Sequence, residues 1–333
     1  MKKNTKPKNI LIIRLSALGD VAMTIPAIYS VAMTYTRHHF YVLTNSLCAQ
    51  LFVRKPSNIT LIPAEDVSTG KILKSLHKMR IDKVADLHNV SRSWMIDLYF
   101  LLRLKPVAML DKRRWERGDI LFRQKHTRRP FIWRYFDVFA KMGLPTQPLF
   151  TTFFGNSLPA VPIPLHKRRG IRWVGIAPFA RYPSKIYPES LMLKVIKLLQ
   201  GSGWNEIFLF GSKGKEEETL CQWAAGLPRV HVVAGKLSLK AEIELMSHLH
   251  VMVAMDSANM HIAALTGVRV VTLWGGTTPA CGFTPWQYNM NDALMKPQPC
   301  QPCSIAGSEQ CKIHSFACMR ELSPLTILTK ILE

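Results

Sequence analysis

Apolar runs typical of buried strands alternate with helical patterns along this chain, and the alternation occurs twice. In the first half, the predicted strands are residues 9–15, 40–44, 60–63, 84–88 and 107–110. In the second half, they are residues 173–177, 207–210, 230–233, 251–255 and 268–274. Strands that alternate with helices form parallel, doubly wound sheets, which bind ligands at the carboxyl ends of their strands. We therefore predict an α/β protein with two Rossmann-like domains facing across a cleft.

A proline-rich stretch without charges, residues 142–166, separates the two series. It predicts domains at residues 1–160 and 161–333, and the final helix is free in this scheme to pack back on the first domain. Five prolines exclude a membrane-spanning helix in this stretch. The apolar run after residue 9 makes a poor signal peptide, because Arg14 and Asp20 interrupt it. We expect a soluble, cytoplasmic protein.

The charge of the chain is strongly positive. Lys and Arg number 44 against 22 Asp and Glu, a formal net charge of +22. Such an excess predicts an acidic partner: nucleic acid, an anionic membrane face or a phosphorylated substrate. Residues 103–134 concentrate basic side chains with Trp115, Phe122, Phe131 and Trp133 between them. The residues chosen as an acceptor and membrane patch are Arg113, Arg114, Arg117, Arg128 and Arg129. There are two alternatives to an acceptor and membrane patch: an ordinary solvated face, or a nucleic-acid surface on which the aromatic rings stack on bases.

Asp20 follows the first predicted strand, in the segment Arg14-Leu-Ser-Ala-Leu-Gly-Asp20. A carboxylate at the start of the first helix and facing the predicted cleft suits a general base. An aspartate at a helix start is equally typical of an N-cap. Both interpretations require the same location and stay open here.

Three segments of the second half suit an anionic ligand. Asp256 follows a buried strand and precedes a helix whose free N–H groups favour phosphate, so Asp256 itself suits sugar hydroxyls better. The loop 275–279 offers backbone amides and the hydroxyl groups of Thr277 and Thr278. Lys185 precedes another helix and has the charge to neutralise a diphosphate. Each segment has a purely structural alternative. Asp256 or Ser257 caps the helix while His261 lies in the core, residues 275–279 form an ordinary Gly-Pro loop, and Lys185 is a solvated lysine.

Several common signatures are absent. The chain lacks a Walker A motif, a three-glycine dinucleotide fingerprint, HExxH, GxSxG and an Asp-x-Asp pair. These absences argue against a kinase, a dehydrogenase, a zinc protease and a serine hydrolase. Four cysteines form a C-terminal cluster: Cys300, Cys303, Cys311 and Cys318. We expect reduced thiols and no bound metal; a structural zinc site is the alternative, although only the first pair has the usual ligand spacing.

The four segments together resemble those of glycosyltransferase family 9, the ADP-heptose:lipopolysaccharide heptosyltransferases. The family's R-x-x-x-x-G-D pattern matches Arg14 to Asp20, and its K-x-W-P pattern matches at Lys185, with Tyr187 in place of tryptophan. The pattern D-[ST]-G-x-x-H-x-A-x-x-x-G matches Asp256, Ser257, His261, Ala263 and Gly267, with Ala258 replacing its glycine. The pattern G-x-T-x-P matches Gly275, Thr277 and Pro279.

The resemblance implies a GT-B fold whose first domain holds the acceptor and whose second domain holds the nucleotide sugar. It also implies inverting chemistry without a metal or cofactor, with Asp20 as general base and with domain closure during catalysis. Asp256 is expected to orient the donor sugar and Glu217 to bind its ribose. The full expected donor set is Lys185, Glu217, Asp256, Ser257, Ala258, His261, Gly275, Thr277 and Thr278.

The implied reaction moves a heptose from ADP-heptose to the anionic inner core of lipopolysaccharide, at the cytoplasmic face of the inner membrane. We expect peripheral membrane association and no nucleic acid partner. Transfer of a hexose or N-acetylhexosamine by the same fold is the first alternative, and nucleic-acid binding through residues 103–134 is the second. The nucleotide base and the acceptor position do not follow from the residues.

Overall fold

A computed structural model describes residues 6–64, 69–127, 129–167, 169–201 and 205–333, without the side chains of Thr69 and Asn205. The chain divides into two compact units. The first takes in the described residues of Met1–Arg113 and Arg129–Thr151, and the second those of Arg114–Arg128 and Thr152–Glu333. Residues 114–127 thus group with the second unit, although they precede the last segment of the first.

The first unit contains a parallel five-stranded sheet in the order β3-β2-β1-β4-β5. Its strands are β1 (Asn9–Ile13), β2 (His39–Thr44), β3 (Ile59–Pro63), β4 (Lys83–Asp86) and β5 (Val107–Met109). The central strand β1 is buried on both faces from Ile10 onward because helices cover both sides of the sheet. Ile13, the last residue of β1, pairs with Leu43 and Asp86, so three strands end together at one edge.

The helices of this unit form two layers. They are α1 (Leu18–Thr34), α2 (Ser46–Ala49), α3 (Thr69–Lys78), α4 (Ser91–Leu101) and α6 (Phe131–Lys141). Leu11 and Ile13 of β1 share a core with Ile72 of α3 and with Ile96 and Phe100 of α4. Successive side chains of a strand point to opposite faces of the sheet. The β1 residues that alternate with Leu11 and Ile13 therefore face the other layer, formed by α1 and α6, which pack on each other.

The second unit contains a parallel six-stranded sheet in the order β11-β10-β9-β6-β7-β8. Its strands are β6 (Arg172–Ala177), β7 (Asn205–Leu209), β8 (Val230–Val232), β9 (Val251–Met255), β10 (Arg269–Trp274) and β11 (Ala293–Met295). Its helices are α5 (Glu116–Arg123), α7 (Glu189–Gly201), α8 (Lys215–Ala224), α9 (Leu239–Met246), α10 (Ala258–Leu265), α11 (Ala317–Arg320) and α12 (Pro324–Leu332). The final helix packs on α7 within this unit.

The predicted α/β class with two doubly wound parallel sheets is confirmed. The ten predicted strands are all present, within about two residues at most ends. The short strand β11 was not predicted, since three residues carry too little pattern to be recognised. Among the described helices, none combines the length and the hydropathy that a membrane span requires.

Candidate active site

Each sheet reverses its strand order beside its first strand. The reversal lies between β1 and β4 in the first unit and between β6 and β9 in the second. At such a point the connections leave toward opposite faces, which opens a crevice at the carboxyl ends of the two strands. Side chains just after these four strands are therefore the first candidates for ligand contacts.

In the first unit, Asp20 forms an ion pair with Arg14. Arg14 follows β1 and is buried; its Nη2 lies 2.6 Å from Asp20 Oδ2, and its Nη1 donates to the carbonyl oxygen of Leu87 at 2.8 Å. Asp20 is the third residue of α1, whose N-cap is Ala17, so Asp20 does not cap the helix. The Asp20 side chain remains 37% exposed. Arg14 is thus held by the Leu87 carbonyl oxygen and in turn fixes the Asp20 carboxylate, which a ligand can still reach.

Two neutral groups lie close to this ion pair. Burial and the charge of Arg14 lower the pKa of His88 to about 4, and the N–H of Leu15 donates to its Nδ1 at 3.4 Å. Burial raises the pKa of Tyr135 to about 12, and its hydroxyl group has no hydrogen-bond partner among the described residues. At neutral pH, both groups carry no charge, and His88 is a weak proton acceptor whose Nδ1 is already engaged.

A buried pair of carboxyl groups supports the turn after β4. Asp86 Oδ1 accepts from the backbone N–H groups of His88 at 2.7 Å and Asn89 at 2.8 Å, and Ser93 Oγ donates to Asp86 Oδ2 at 2.7 Å. Burial and the negative charge of Asp86 raise the pKa of the neighbouring Asp97. Both Asp97 oxygens are buried, and within the described residues Asp86 is the neighbour available for a hydrogen bond. Two carboxyl groups can share a hydrogen bond only if one is protonated, so Asp97 is the protonated group and donates toward Asp86. This network fixes the turn whose Leu87 carbonyl holds Arg14.

In the second unit, three predicted residues meet at the strand reversal. Lys185 lies in a 3-10 helix after β6, Asp256 directly follows β9, and Thr277 lies in the loop after β10. Lys185 Nζ lies 2.8 Å from Asp256 Oδ2, and Thr277 Oγ1 donates to the same oxygen at 2.6 Å. All three side chains are nearly buried. The structure therefore brings together an ammonium, a carboxylate and a hydroxyl group from three adjacent strands.

The loop after β10 packs tightly on the segment that carries Lys185. The N–H of Gly276 donates to the carbonyl oxygen of Ser184 at 2.7 Å, and Gln301 Nε2 donates to the carbonyl oxygen of Gly275 at 2.6 Å. A Cβ atom at Gly275 would lie 2.5 Å from the Ser184 carbonyl oxygen. Only glycine fits there, and this close approach keeps Thr277 beside Lys185.

The remaining donor residues differ in their surroundings. Ser257 is the N-cap of α10 and Ala258 its first residue; the Ser257 hydroxyl is buried, makes no cap bond and has no hydrogen-bond partner in the described chain. His261 and Thr278 are buried. Glu217 lies in the first turn of α8, where its carboxylate accepts from the N–H of Gly214 at 3.4 Å. The structure thus places Ser257 and Ala258 directly after Asp256, while Glu217 supports its own helix start.

The predicted basic patch is divided between the units. Arg113 and Arg129 belong to the first unit and Arg114 and Arg117 to the second, while Arg128 lies outside the described residues. Arg129 forms a two-pronged ion pair with Asp137, at 2.6 and 3.0 Å. Arg114 and Arg117 are exposed.

The C-terminal cysteines are unpaired in the structure. Cys300 and Cys303 are half-buried, and Cys311 and Cys318 are buried. Burial, followed by the charges of the other three, raises the pKa of Cys318 to about 11. In the part of the chain that is described, no group of three or more His, Cys, Asp or Glu side chains has an arrangement suited to a metal ion.

Two carboxyl groups and one imidazole group near Arg14 were not singled out by the sequence analysis. Asp86 ends a strand, and Asp97 lies on the buried face of a helix. The available signal was a single acidic residue among the mostly apolar residues 94–101. His88 had no motif around it.

Comparisons with known proteins agree with this architecture. The sequence model of glycosyltransferase family 9 (heptosyltransferase) matches residues 69–314. Lipooligosaccharide heptosyltransferase 2 of Campylobacter jejuni is 25% identical over 322 residues, which cover 93% of each chain. Lipopolysaccharide heptosyltransferase 1 of Pseudomonas aeruginosa is 25% identical and is covered to 85%, over 88% of this chain.

Solved structures show the same fold. The E. coli ADP-heptose lipopolysaccharide heptosyltransferase II superposes with a TM-score of 0.67 at 19% identity, over 97% of each chain. The E. coli heptosyltransferase WaaC with ADP gives a TM-score of 0.66 at 18% identity, over 97% of this chain and 99% of that one. The predicted GT-B fold, with two Rossmann-like α/β domains, is confirmed.

Proposed function

Since the chain belongs to glycosyltransferase family 9, the heptosyltransferases, we propose that it transfers a heptose from ADP-heptose to the inner core of lipopolysaccharide. The observation that carries this proposal is the cluster of Lys185, Asp256 and Thr277 at the strand reversal of the second sheet. The relatives named as lipooligosaccharide and lipopolysaccharide heptosyltransferases support both the sugar and the acceptor class.

The second unit binds the donor in this proposal. The diphosphate of ADP-heptose lies beside Thr277, against the Lys185 ammonium and the backbone N–H groups of Ser257 and Ala258, because a helix N-terminus and a cation attract an anion. Both protein contacts of Asp256 reach Oδ2, which leaves Oδ1 as an acceptor for a heptose hydroxyl group. Gly275, Thr278 and His261 shape the surrounding pocket wall, and Glu217 accepts from the ribose.

The first unit supplies the base. Asp20 removes the proton of the acceptor hydroxyl group, whose oxygen attacks the anomeric carbon on the face opposite ADP, so that the configuration inverts. The bond from the anomeric carbon to the diphosphate oxygen breaks, and ADP leaves with the electron pair. Arg14 orients the Asp20 carboxylate. Lys185 and the helix N-terminus stabilise the charge that develops on ADP, in place of a metal ion.

The acceptor is an anionic glycolipid, and the proposal places the enzyme peripherally at the cytoplasmic face of the inner membrane. The net charge of +22 supports an anionic partner. Exposed Arg114 and Arg117 contribute to this attraction, whereas Arg129 is partly neutralised by Asp137.

A thermal-shift screen of nucleotide sugars tests the donor assignment. A ligand that binds only the folded protein raises its melting temperature. We expect ADP and ADP-heptose to raise it and UDP-hexoses and UDP-N-acetylhexosamines to leave it unchanged. Stabilisation by a UDP-sugar alone would reassign the donor to the alternative class. Stabilisation by oligonucleotides without any nucleotide sugar would overturn the proposal.

A further inference from the structure

Helix α4 exposes a continuous row of large apolar side chains. Its buried face carries Ser93, Ile96, Asp97 and Phe100. The opposite face carries apolar residues at helical spacing, each between 46% and 75% exposed: Trp94, Met95, Leu98, Leu101 and Leu102. Leu104, just beyond the helix, is 92% exposed. Single exposed leucines are ordinary in proteins. A contiguous row of apolar side chains on a water-exposed helix, in contrast, indicates an interaction surface for a protein, a ligand or a membrane.

The neighbouring helix α3 exposes a row of lysines. It packs beside α4, and His77 Nδ1 lies 3.0 Å from the Tyr99 hydroxyl oxygen between the two helices. Lys71, Lys74 and Lys78 are all exposed and recur at positions that share one helix face. A lysine row therefore runs on the helix adjoining the apolar row.

Acidic side chains are missing from the outer surface of both helices. Within the described parts of α3 and α4, the one acid is Asp97, which is buried. Arg103 lies two residues beyond α4, with its guanidinium carbon 3.8 Å from the centroid of the Tyr99 ring. Within α3 and α4, the exposed charged side chains beside the apolar row are therefore cations. Such a surface is complementary to a bilayer with anionic headgroups, since apolar side chains enter the acyl boundary while lysines reach the phosphates.

The tryptophan of the row is fixed in place. Trp94 Nε1 donates to Asn89 Oδ1 at 2.7 Å, although half of its surface is exposed. Tryptophan favours the interface between headgroups and acyl chains because its ring is apolar and its N–H is polar. A second copy of this chain is a poorer occupant, because each copy carries a net charge of +22 and adds its own lysine row.

We propose that α4 is the membrane-docking helix of this protein: it lies in the plane of an anionic bilayer surface, with Trp94, Leu98 and Leu102 inserted and the α3 lysines on the lipid phosphates. This surface shares no residue with the predicted patch of Arg113, Arg114, Arg117, Arg128 and Arg129, and the proposal does not depend on the identity of the donor sugar. Trp94 bonds to Asn89, in the turn that Asp86 supports, so the docked face borders the acceptor side of the first unit.

Vesicle co-sedimentation of the full-length protein tests this proposal. We expect binding to vesicles of phosphatidylcholine with phosphatidylglycerol, and weaker binding to phosphatidylcholine alone. The double variant Leu98→Gln/Leu102→Gln should bind anionic vesicles about tenfold more weakly, because it loses the inserted side chains. Lys71→Glu/Lys74→Glu should lose a comparable amount, since each basic residue near the surface attracts anionic lipid.

A matched control is Leu198→Gln/Leu325→Gln, which alters two exposed leucines of the second unit. It should bind vesicles as the unaltered chain does. Unchanged vesicle binding by the α4 variant would overturn the proposal, and so would a concentration-dependent dimer that this variant abolishes. Thermal stabilisation by ADP-heptose should be the same in all these variants. That readout separates a failure of membrane docking from a failure of the proposed function.

Discussion

At the scale of single residues, the candidate site of the second unit pairs its nearly buried charges. Lys185 and Asp256 are both nearly buried and neutralise each other, with Thr277 as a third contact. Removing one partner of a buried ion pair leaves the other charge uncompensated, which costs more free energy than the pair contributes. The same residues are those we propose for donor binding.

Lys185→Gln should therefore affect both stability and binding. We expect the free energy of unfolding to fall by about 3 kcal/mol or more, since Asp256 is left unpaired, and the affinity for ADP to fall as well. Lys185→Arg, which retains the charge, should restore most of the stability. Denaturant unfolding and calorimetric titration with ADP measure the two effects. A Gln variant with unaltered stability and affinity would contradict both roles.

The buried Asp97 carboxyl group should make the stability of the protein depend on pH. Its raised pKa means that the folded protein binds a proton that the unfolded chain releases, so stability falls as pH rises above the ordinary titration range of aspartate. Asp97→Asn keeps a neutral donor beside Asp86 and removes this slope. The melting temperature of the variant relative to the unaltered protein should rise by a few degrees between mildly acidic and mildly alkaline pH.

Asp111→Asn, at an exposed aspartate, is the control and should leave the slope unchanged. If the melting temperatures of the Asp97 variant and of the unaltered protein change with pH by the same amount, Asp97 is ionised in the folded state and the prediction is wrong.

At the scale of elements, strand ends were predictable and loop packing was not. Asp20, Asp256 and Thr277 could be found because each follows a strongly apolar strand, and parallel strands present such residues at one edge. The ion pairs of Arg14 with Asp20 and of Lys185 with Asp256 had no sequence signal, since they join residues by tertiary packing. The grouping of residues 114–127 with the second unit also had no sequence signal, because it depends on contacts between residues distant in the chain.

Gly275 tests how the loop after β10 shapes the site. Gly275→Ala places a methyl group against the Ser184 carbonyl oxygen, so the loop must move away from Lys185. We expect a loss of about 1–3 kcal/mol in stability, typical of overpacking, and weaker binding of ADP-heptose. Thermal melting with and without ADP-heptose measures both.

Gly118→Ala is the matched control. Gly118 lies inside α5 with open space around its position, so alanine should be neutral or stabilise by up to about 1 kcal/mol. Equal behaviour of the two variants would show that the close approach at Gly275 has no role in the site.

At the scale of the whole molecule, the presence of two doubly wound parallel sheets was the most predictable feature. Repeated alternation of strand and helix predicts doubly wound parallel sheets, whichever apolar residues form the strands. The GT-B fold was implied only by the resemblance to the family, and it is confirmed. Sequence patterns did not predict the apolar face of α4, because its spacing is equally typical of a helix buried on both sides. The exposure of each side chain in the structure distinguishes the two cases.

The central claim is that a carboxylate of the first unit acts as base in a heptosyl transfer whose donor the second unit binds. The most direct measurement compares Asp20→Asn with the unaltered enzyme in transfer from ADP-heptose to heptose-deficient lipopolysaccharide, alongside calorimetric titration of ADP-heptose. We predict that kcat falls by about 10²-fold or more, the usual contribution of a general base, while the donor affinity stays within about twofold, since Asp20 lies in the other unit. Turnover that persists in a folded, donor-binding Asp20→Asn enzyme would contradict the account.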